Sequence, residues 1–281
     1  MSNSPVVSTP WLAEHLDSPH LILLDVSMDK VIGKEPLLYD EPVYIPNTVA
    51  LSLERELIDL DSPLANTLPS VEKFNKLVVT LGLNKFSIVV VYDNQGMYSS
   101  PRAWWIFKAM GIDNVFMLDG GLPQWLDEQR ETCKNTIEAT GDGNIKAVFN
   151  HTMMVGAPQV LAATLNQNTH IIDARSSTRF SGHTKEPRAG LRAGHIPNSV
   201  NLPFAEVLDG HCFKSAQQLS DIFNQLGHHN EHQLIASCGS GITACIILAA
   251  AAIAGFNQLS LYDGSWAQWG ADNNYPVENA D

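Results

Sequence analysis

The residues with the clearest chemical potential are Ser237-Cys238-Gly239-Ser240-Gly241-Ile242-Thr243-Ala244-Cys245. An apolar segment, Leu234-Ile235-Ala236, leads in, and an uncharged apolar run, Ala244 to Ala254, leads out. This pattern reads as a buried strand, a tight loop opening with cysteine, and a buried helix. The two glycines let the backbone curl so that the amides of Gly239, Gly241, Ile242 and Thr243 turn inward. Such a nest at a helix N-terminus favours negative charge. A thiol placed there is expected to ionise more readily than a free one, whose pKa is about 8.5. The loop suits a thiolate, or an anion carried on its sulfur.

The elements that must hold this loop occur twice. Leu23-Leu24-Asp25-Val26 resembles Ile171-Ile172-Asp173-Ala174, and Tyr44-Ile45-Pro46-Asn47 resembles His195-Ile196-Pro197-Asn198. Val89-Val90-Val91-Tyr92-Asp93 aligns with Leu234-Ile235-Ala236-Ser237-Cys238, and Leu118-Asp119-Gly120-Gly121 with Tyr262-Asp263-Gly264-Ser265. These segments keep their order at an offset of about 145 residues, a domain-sized period and no solenoid repeat. Only the second copy has cysteine at the strand end; the first has Asp93. One reactive domain and one supporting domain are therefore expected.

Short strands alternate with helices in each half. Helix is predicted over 11–16, 71–81 and 101–110, and strand over 21–26, 88–92 and 115–118. The fold class is α/β, with two domains, each a mostly parallel sheet flanked by helices. Ligands of such sheets bind beyond the carboxyl ends of the strands, where Asp93 and Cys238 fall. The expected boundaries are 1–135 for a non-catalytic N-terminal domain, 136–150 for a linker, and 151–281 for a catalytic domain.

Composition narrows the function. The 281 residues carry a formal charge of −13 and are 44% hydrophobic. An acidic chain is a poor partner for nucleic acid or an anionic membrane surface. The apolar run after the cysteine loop is too short to span a bilayer, and the first residues lack the pattern of a signal peptide. The four cysteines, Cys133, Cys212, Cys238 and Cys245, lack metal-type pair spacing. They are too few for a disulfide scaffold, so a cytoplasmic location is expected. His228, His229 and His232 cluster in a polar loop, but a zinc site needs further fixed ligands; neither metal nor cofactor is expected. A cysteine-dependent phosphatase would need an arginine at position 244 to grip phosphate, and that residue is alanine.

The chain resembles the tandem rhodanese family of sulfurtransferases over essentially its whole length. The marks are the Asp25 and Asp173 strands, the Ile-Pro-Asn segments, Ser100-Pro101-Arg102-Ala103-Trp104-Trp105, the cysteine loop, and Tyr262-Asp263-Gly264-Ser265-Trp266. Thiosulfate-preferring members carry basic residues just after the cysteine; here those positions are Gly239 and Ser240. Cys-Gly-Ser-Gly followed by an apolar residue and threonine is the pattern of the 3-mercaptopyruvate subtype.

The resemblance implies double displacement. The Cys238 thiolate takes sulfur from 3-mercaptopyruvate, pyruvate leaves, and a thiol, thioredoxin or cyanide accepts the outer sulfur of the Cys238 persulfide. The loop amides suit a persulfide anion. Arg179 and Arg188 match the substrate-binding arginines, and a guanidinium fork suits a carboxylate; read alone, both could equally be solvated loop residues. Ser240 is assigned with Cys238 to catalysis. The resemblance also implies a relay through a first-domain histidine in a His-Ile-Pro segment. Here the segment is Tyr44-Ile45-Pro46, so Tyr44 is either a proton donor or a packed aromatic. Trp266 either walls the pocket or packs in the core. A monomer or weak dimer is expected. The alternatives are a thiosulfate sulfurtransferase, or a catalytically weak rhodanese-fold binding or regulatory module.

Overall fold

The computed structural model describes residues 4–139 and 141–279. The chain forms two compact units. The first comprises residues up to Asp59, Leu68–Asn150 and Asp209–Phe213; the second comprises Leu60–Thr67, His151–Leu208 and the chain from Lys214 onward. Each unit thus contains a short segment from the other half of the sequence.

The first unit holds β1 (Val6–Val7), α1 (Thr9–His15), β2 (Leu21–Asp25), β3 (Thr48–Ala50), α2 (Leu53–Glu56), α3 (Val71–Thr80), β4 (Ile88–Tyr92), α4 (Ser100–Ala109), β5 (Val115–Leu118) and α5 (Gly121–Asp127). Its five strands run in the order β1-β5-β4-β2-β3, every pairing parallel. The β-branched run Ile88-Val89-Val90-Val91 forms a central strand covered on both faces, as a parallel sheet requires. The sequence-based strands at 88–92 and 115–118 match β4 and β5, and the helices fall within two residues of prediction. The stretch expected as linker is bonded within this unit: Gly143 N–H donates to Val79 O, Val148 N–H to Met110 O and Asn150 N–H to Ala109 O, at 2.7–3.0 Å.

The second unit holds β6 (Met154–Val155), α6 (Ala157–Ala163), β7 (Thr169–Asp173), α7 (Ser177–Phe180) and β8 (Ser199–Asn201). A short ribbon, β9 (Leu208–Asp209) and β10 (Cys212–Phe213), follows in the chain. The unit then continues with α8 (Ala216–Gln225), β11 (Gln233–Ser237), α9 (Ala244–Ile253), β12 (Leu259–Tyr262) and α10 (Ser265–Trp269). Its sheet runs β6-β12-β11-β7-β8, all parallel. Strand for strand, this is the order of the first sheet, so the internal repeat in the sequence is a repeat of topology. Residues Ala244 to Ala251 of α9 are all buried, which explains why this helix is apolar all round. The core against the sheet is built from Ile171, Ile235, Tyr262, Trp266 and Trp269.

Candidate active site

Cys238 follows the last residue of β11, at the carboxyl end of a central strand. It is 2% exposed. Gly241, at φ +81°, makes the turn and donates its N–H to Cys238 Sγ across 3.2 Å. Glycine suits that left-handed conformation because it has no Cβ to clash. Among the described residues, the amides of Ser240, Ile242 and Thr243 have no acceptor. These groups crowd the N-terminus of α9, where a helix leaves its first amides unpaired. They are the donors available to a negatively charged sulfur.

The Tyr262-to-Trp266 motif clamps this loop from outside. Trp266 N–H donates to Cys238 O at 2.9 Å and Ala267 N–H to Gly239 O at 3.0 Å. Ser265 Oγ accepts the Cys238 N–H at 3.2 Å while donating to Tyr262 O at 2.8 Å. The loop carbonyls are therefore drawn outward, which leaves amides for the inside. Cys245 gives its thiol to Gly241 O at 3.3 Å, in the buried first turn of α9.

The first unit displays the same device with its anion built in. Asp93 sits after β4 as Cys238 sits after β11. Its carboxylate accepts the N–H groups of Gln95, Tyr98, Ser99 and Ser100 at 2.8–2.9 Å. This strand–loop–helix turn is thus an anion cradle, filled by a side chain in one unit and opened by a thiol in the other.

Four charged residues set the electrostatics. Arg175 is wholly buried and binds Asp173 through Nε and Nη2 at 2.6–3.1 Å. Its Nη1 reaches Glu186 Oε1 at 2.8 Å, and its guanidinium lies 4.3 Å above the Trp266 ring. Burial opposes its charge, but Asp173 and Glu186 overcome that and hold it protonated above its ordinary range. Glu186 also binds Arg179, with Nη2 to Oε2 at 2.5 Å and Nε to Oε1 at 3.2 Å. A Cβ placed on Gly239 would lie 3.0 Å from Arg179 Nη2. The Arg179 guanidinium is therefore set against the residue next to the cysteine, aimed there by a shared carboxylate.

The sequence-predicted residues fall out as follows. Cys238, Gly239, Ser240, Gly241, Ile242 and Thr243 form one loop, with Arg179 beside it. Arg188 is half-buried in the loop after Glu186, with no hydrogen bond or ion pair among the described residues. Tyr44 lies in the first unit, where its N–H and C=O pair with Cys133 at 2.9 Å. Trp266 is fully buried in the core, its Nε1–H donating to Arg192 O at 2.9 Å; of its two readings, the packed one fits. Residues that sequence reasoning missed are Glu186, Ser265 and Asn66. Glu186 stands between the two arginines, a local signal. Asn66 carries none: it belongs to the Leu60–Thr67 segment of the second unit and donates Nδ2–H to Ser240 Oγ at 2.9 Å. It holds the left-handed conformation, φ +61°, which asparagine tolerates better than most residues.

Comparison with known proteins places this geometry. The Rhodanese-like domain model matches twice, at residues 8–128 and 157–272. The 3-mercaptopyruvate sulfurtransferase of Escherichia coli K12 is 36% identical over 284 residues, covering 99% of both chains. The thiosulfate sulfurtransferase of Rattus norvegicus is 34% identical, covering 94% of this chain and 91% of its own. The crystal structure of the E. coli 3-mercaptopyruvate enzyme SseA superposes with a TM-score of 0.81 at 34% identity, covering 94% of this chain and 99% of that one. With two matching sheets, two family matches and relatives aligned over nearly the full chain, the protein belongs to the tandem rhodanese family.

Proposed function

We propose that this protein is a sulfurtransferase that moves sulfur from 3-mercaptopyruvate to a thiol, thioredoxin or cyanide through a persulfide on Cys238. The observation that carries this reading is the Cys238 loop: a buried sulfur accepting the Gly241 N–H, with the Arg179 guanidinium against Gly239. The thiolate attacks the donor sulfur. An S–S bond forms, the donor C–S bond breaks, and its electron pair passes to the pyruvate carbon as an enolate. Arg179 and Arg188 bind the carboxylate and the keto oxygen on which that charge develops. A proton delivered to carbon releases pyruvate, a step assigned to Ser240, two residues after Cys238 and with its Oγ held by Asn66. An acceptor nucleophile then attacks the outer sulfur and Cys238 leaves as thiolate.

Catalysis is assigned to the second unit, residues 151–208 and 214–281 with the 60–67 segment that holds Ser240, and the first unit, which includes the 136–150 stretch, supports it. The working location is the cytoplasm and the working form a monomer or weak dimer. Among the described residues no helix is long and apolar enough to cross a membrane. A second donor, thiosulfate, is kept because a thiosulfate sulfurtransferase is 34% identical to this chain, so overall identity does not separate the two donors. The loop favours mercaptopyruvate, since Gly239 and Ser240 offer no cation to a dianion. Pyruvate release from mercaptopyruvate, measured beside a Cys238→Ser control, tests the proposal. Release by both proteins, or by neither, overturns it.

A further inference from the structure

At the other end of the second sheet from Cys238, three histidines converge. His170 is the second residue of β7, and His232 directly precedes β11. The two strands pair in parallel with Thr169 opposite Gln233 and His170 opposite Leu234, which brings the rings of His170 and His232 into a stack at 4.5 Å. His228 follows the end of α8. Gly227, at φ +75°, turns the chain there, and His228 N–H donates to Phe223 O at 3.0 Å. Its ring lies 5.2 Å from that of His170 and 6.0 Å from that of His232. One ring nitrogen from each histidine lies within 4.8 Å of the others.

A second observation points to a ligand. The His228 side chain is wholly buried, and among the described residues neither of its ring nitrogens has a hydrogen-bond partner. It packs instead against Phe223 and Phe256. A buried imidazole with both nitrogens orphaned is costly and calls for an explanation. The apolar packing disfavours a charged ring, and the neutral imidazole is the form that binds metal.

We propose that His170, His228 and His232 form a binding site for a borderline divalent transition metal, with zinc as the expected ion. Three imidazoles suit Zn(II), Co(II), Ni(II) and Cu(II), and are poor ligands for Mg(II) or Ca(II). Zinc bonds to nitrogen at about 2.0–2.1 Å, so tetrahedral ligands sit about 3.3 Å apart. The site must contract. His170 and His232 are half-buried and can swing toward the buried His228. His232 Nδ1 accepts the His229 N–H at 3.3 Å, a long bond. A metal at Nδ1 replaces it; a metal at Nε2 moves the ring proton to Nδ1 and gives it up. The ion would tie the end of α8 to β7 and β11, at a distance from the sulfur chemistry. His229 stands outside the set; His170, distant in sequence, joins His228 and His232 in its place.

The test uses the full chain, stripped with chelator and titrated with Co(II). The expected result is one equivalent bound, visible d–d absorption of a tetrahedral site, and no thiolate-to-cobalt charge-transfer band. Zn(II) should displace the cobalt and raise the thermal midpoint. His170→Ala and His232→Ala should each weaken binding about 100-fold or more, since loss of a mere supporting contact already costs about 10- to 100-fold. His229→Ala should bind as wild type. Because both altered rings are half-buried and lie away from Cys238, the alanine variants are expected to retain pyruvate release, which reports that they fold. Absence of binding by wild type, undiminished binding by both alanine variants, or a thiolate band with cobalt would each overturn the proposal.

Discussion

Asn66 Nδ2 donates to Ser240 Oγ across 2.9 Å, so a residue 174 positions upstream orients the hydroxyl of the cysteine loop. With Nδ2 as donor, the serine oxygen accepts, and its own proton is left to be donated to the bound substrate. Asn66→Ala should remove one hydrogen bond worth about 0.5–1.5 kcal/mol and lower kcat/KM roughly 2- to 10-fold. Asn66→Asp should cost more, because a carboxylate takes the serine proton and sets a negative charge beside a persulfide. Steady-state kinetics of the two variants test this order; equal effects would remove the directional role.

The proposed mechanism makes Cys238 the single sulfur carrier. Mass spectrometry after donor treatment should find about 32 Da, one sulfur, on the Cys238 peptide. Cys238→Ser should abolish transfer, and Cys133→Ser and Cys212→Ser should retain it. Cys212 has a further signature. Burial, then Asp119, Glu128 and Asp209, push its thiol up to about 12, well above the ordinary range of a free thiol. The folded state thus keeps this proton where the unfolded chain releases it, so stability tied to Cys212 is present below pH 9 and is lost as pH rises toward 12. In the native protein, Cys212 should resist iodoacetamide at pH 8 and become labelled on unfolding.

On the proposed mechanism, Arg179 and Arg188 should each give the donor a charge-assisted contact of roughly 1.5–3 kcal/mol. Alanine at either should reduce kcat/KM for mercaptopyruvate by about 10- to 100-fold. Lysine at 179 should recover little, because a point charge cannot bind Glu186 and a carboxylate as a planar fork does. Near-normal kinetics in both alanine variants would reject the assignment.

Arg175 serves structure. Its removal leaves Asp173 and Glu186 facing each other with the buried cation gone, and breaking such a buried network by one member costs about 3–5 kcal/mol. Arg175→Met should therefore lower the thermal midpoint sharply, and any protein that folds should lose donor affinity, since Glu186 aims Arg179. A midpoint within a degree or two of wild type would refute this.

Donor preference should follow the residues after Cys238. Gly239→Arg with Ser240→Lys adds two cations beside the sulfur and should raise the thiosulfate-to-mercaptopyruvate ratio of kcat/KM. A Cβ at 239 meets Arg179 Nη2 at 3.0 Å, so the same change should displace that guanidinium and depress mercaptopyruvate turnover. Measuring both donors in both proteins checks each half. Wild type that already favours thiosulfate would reverse the subtype.

What could be read from sequence was local. The strands β4 and β5, the buried helix α9 and the cysteine loop announce themselves through apolar runs and glycine positions, because strand burial, helix burial and turn geometry act within a few residues. The duplication was legible because both copies keep the same turns, and the Asp93-for-Cys238 exchange already marked one copy as the reactive one. Glu186 between its arginines was within reach of the same reasoning. Tertiary structure alone decided the partners that the chain brings from a distance. Asn66 reaches Ser240 only because residues 60–67 belong to the second unit, and Tyr44 spends its backbone on Cys133 in the first. His170 joins His228 and His232 through strand pairing, where sequence adjacency had suggested His229. Local patterns specify which elements form; the register of one strand on another, and the path of a returning segment, are set by packing across the whole fold, and no window along the chain contains them.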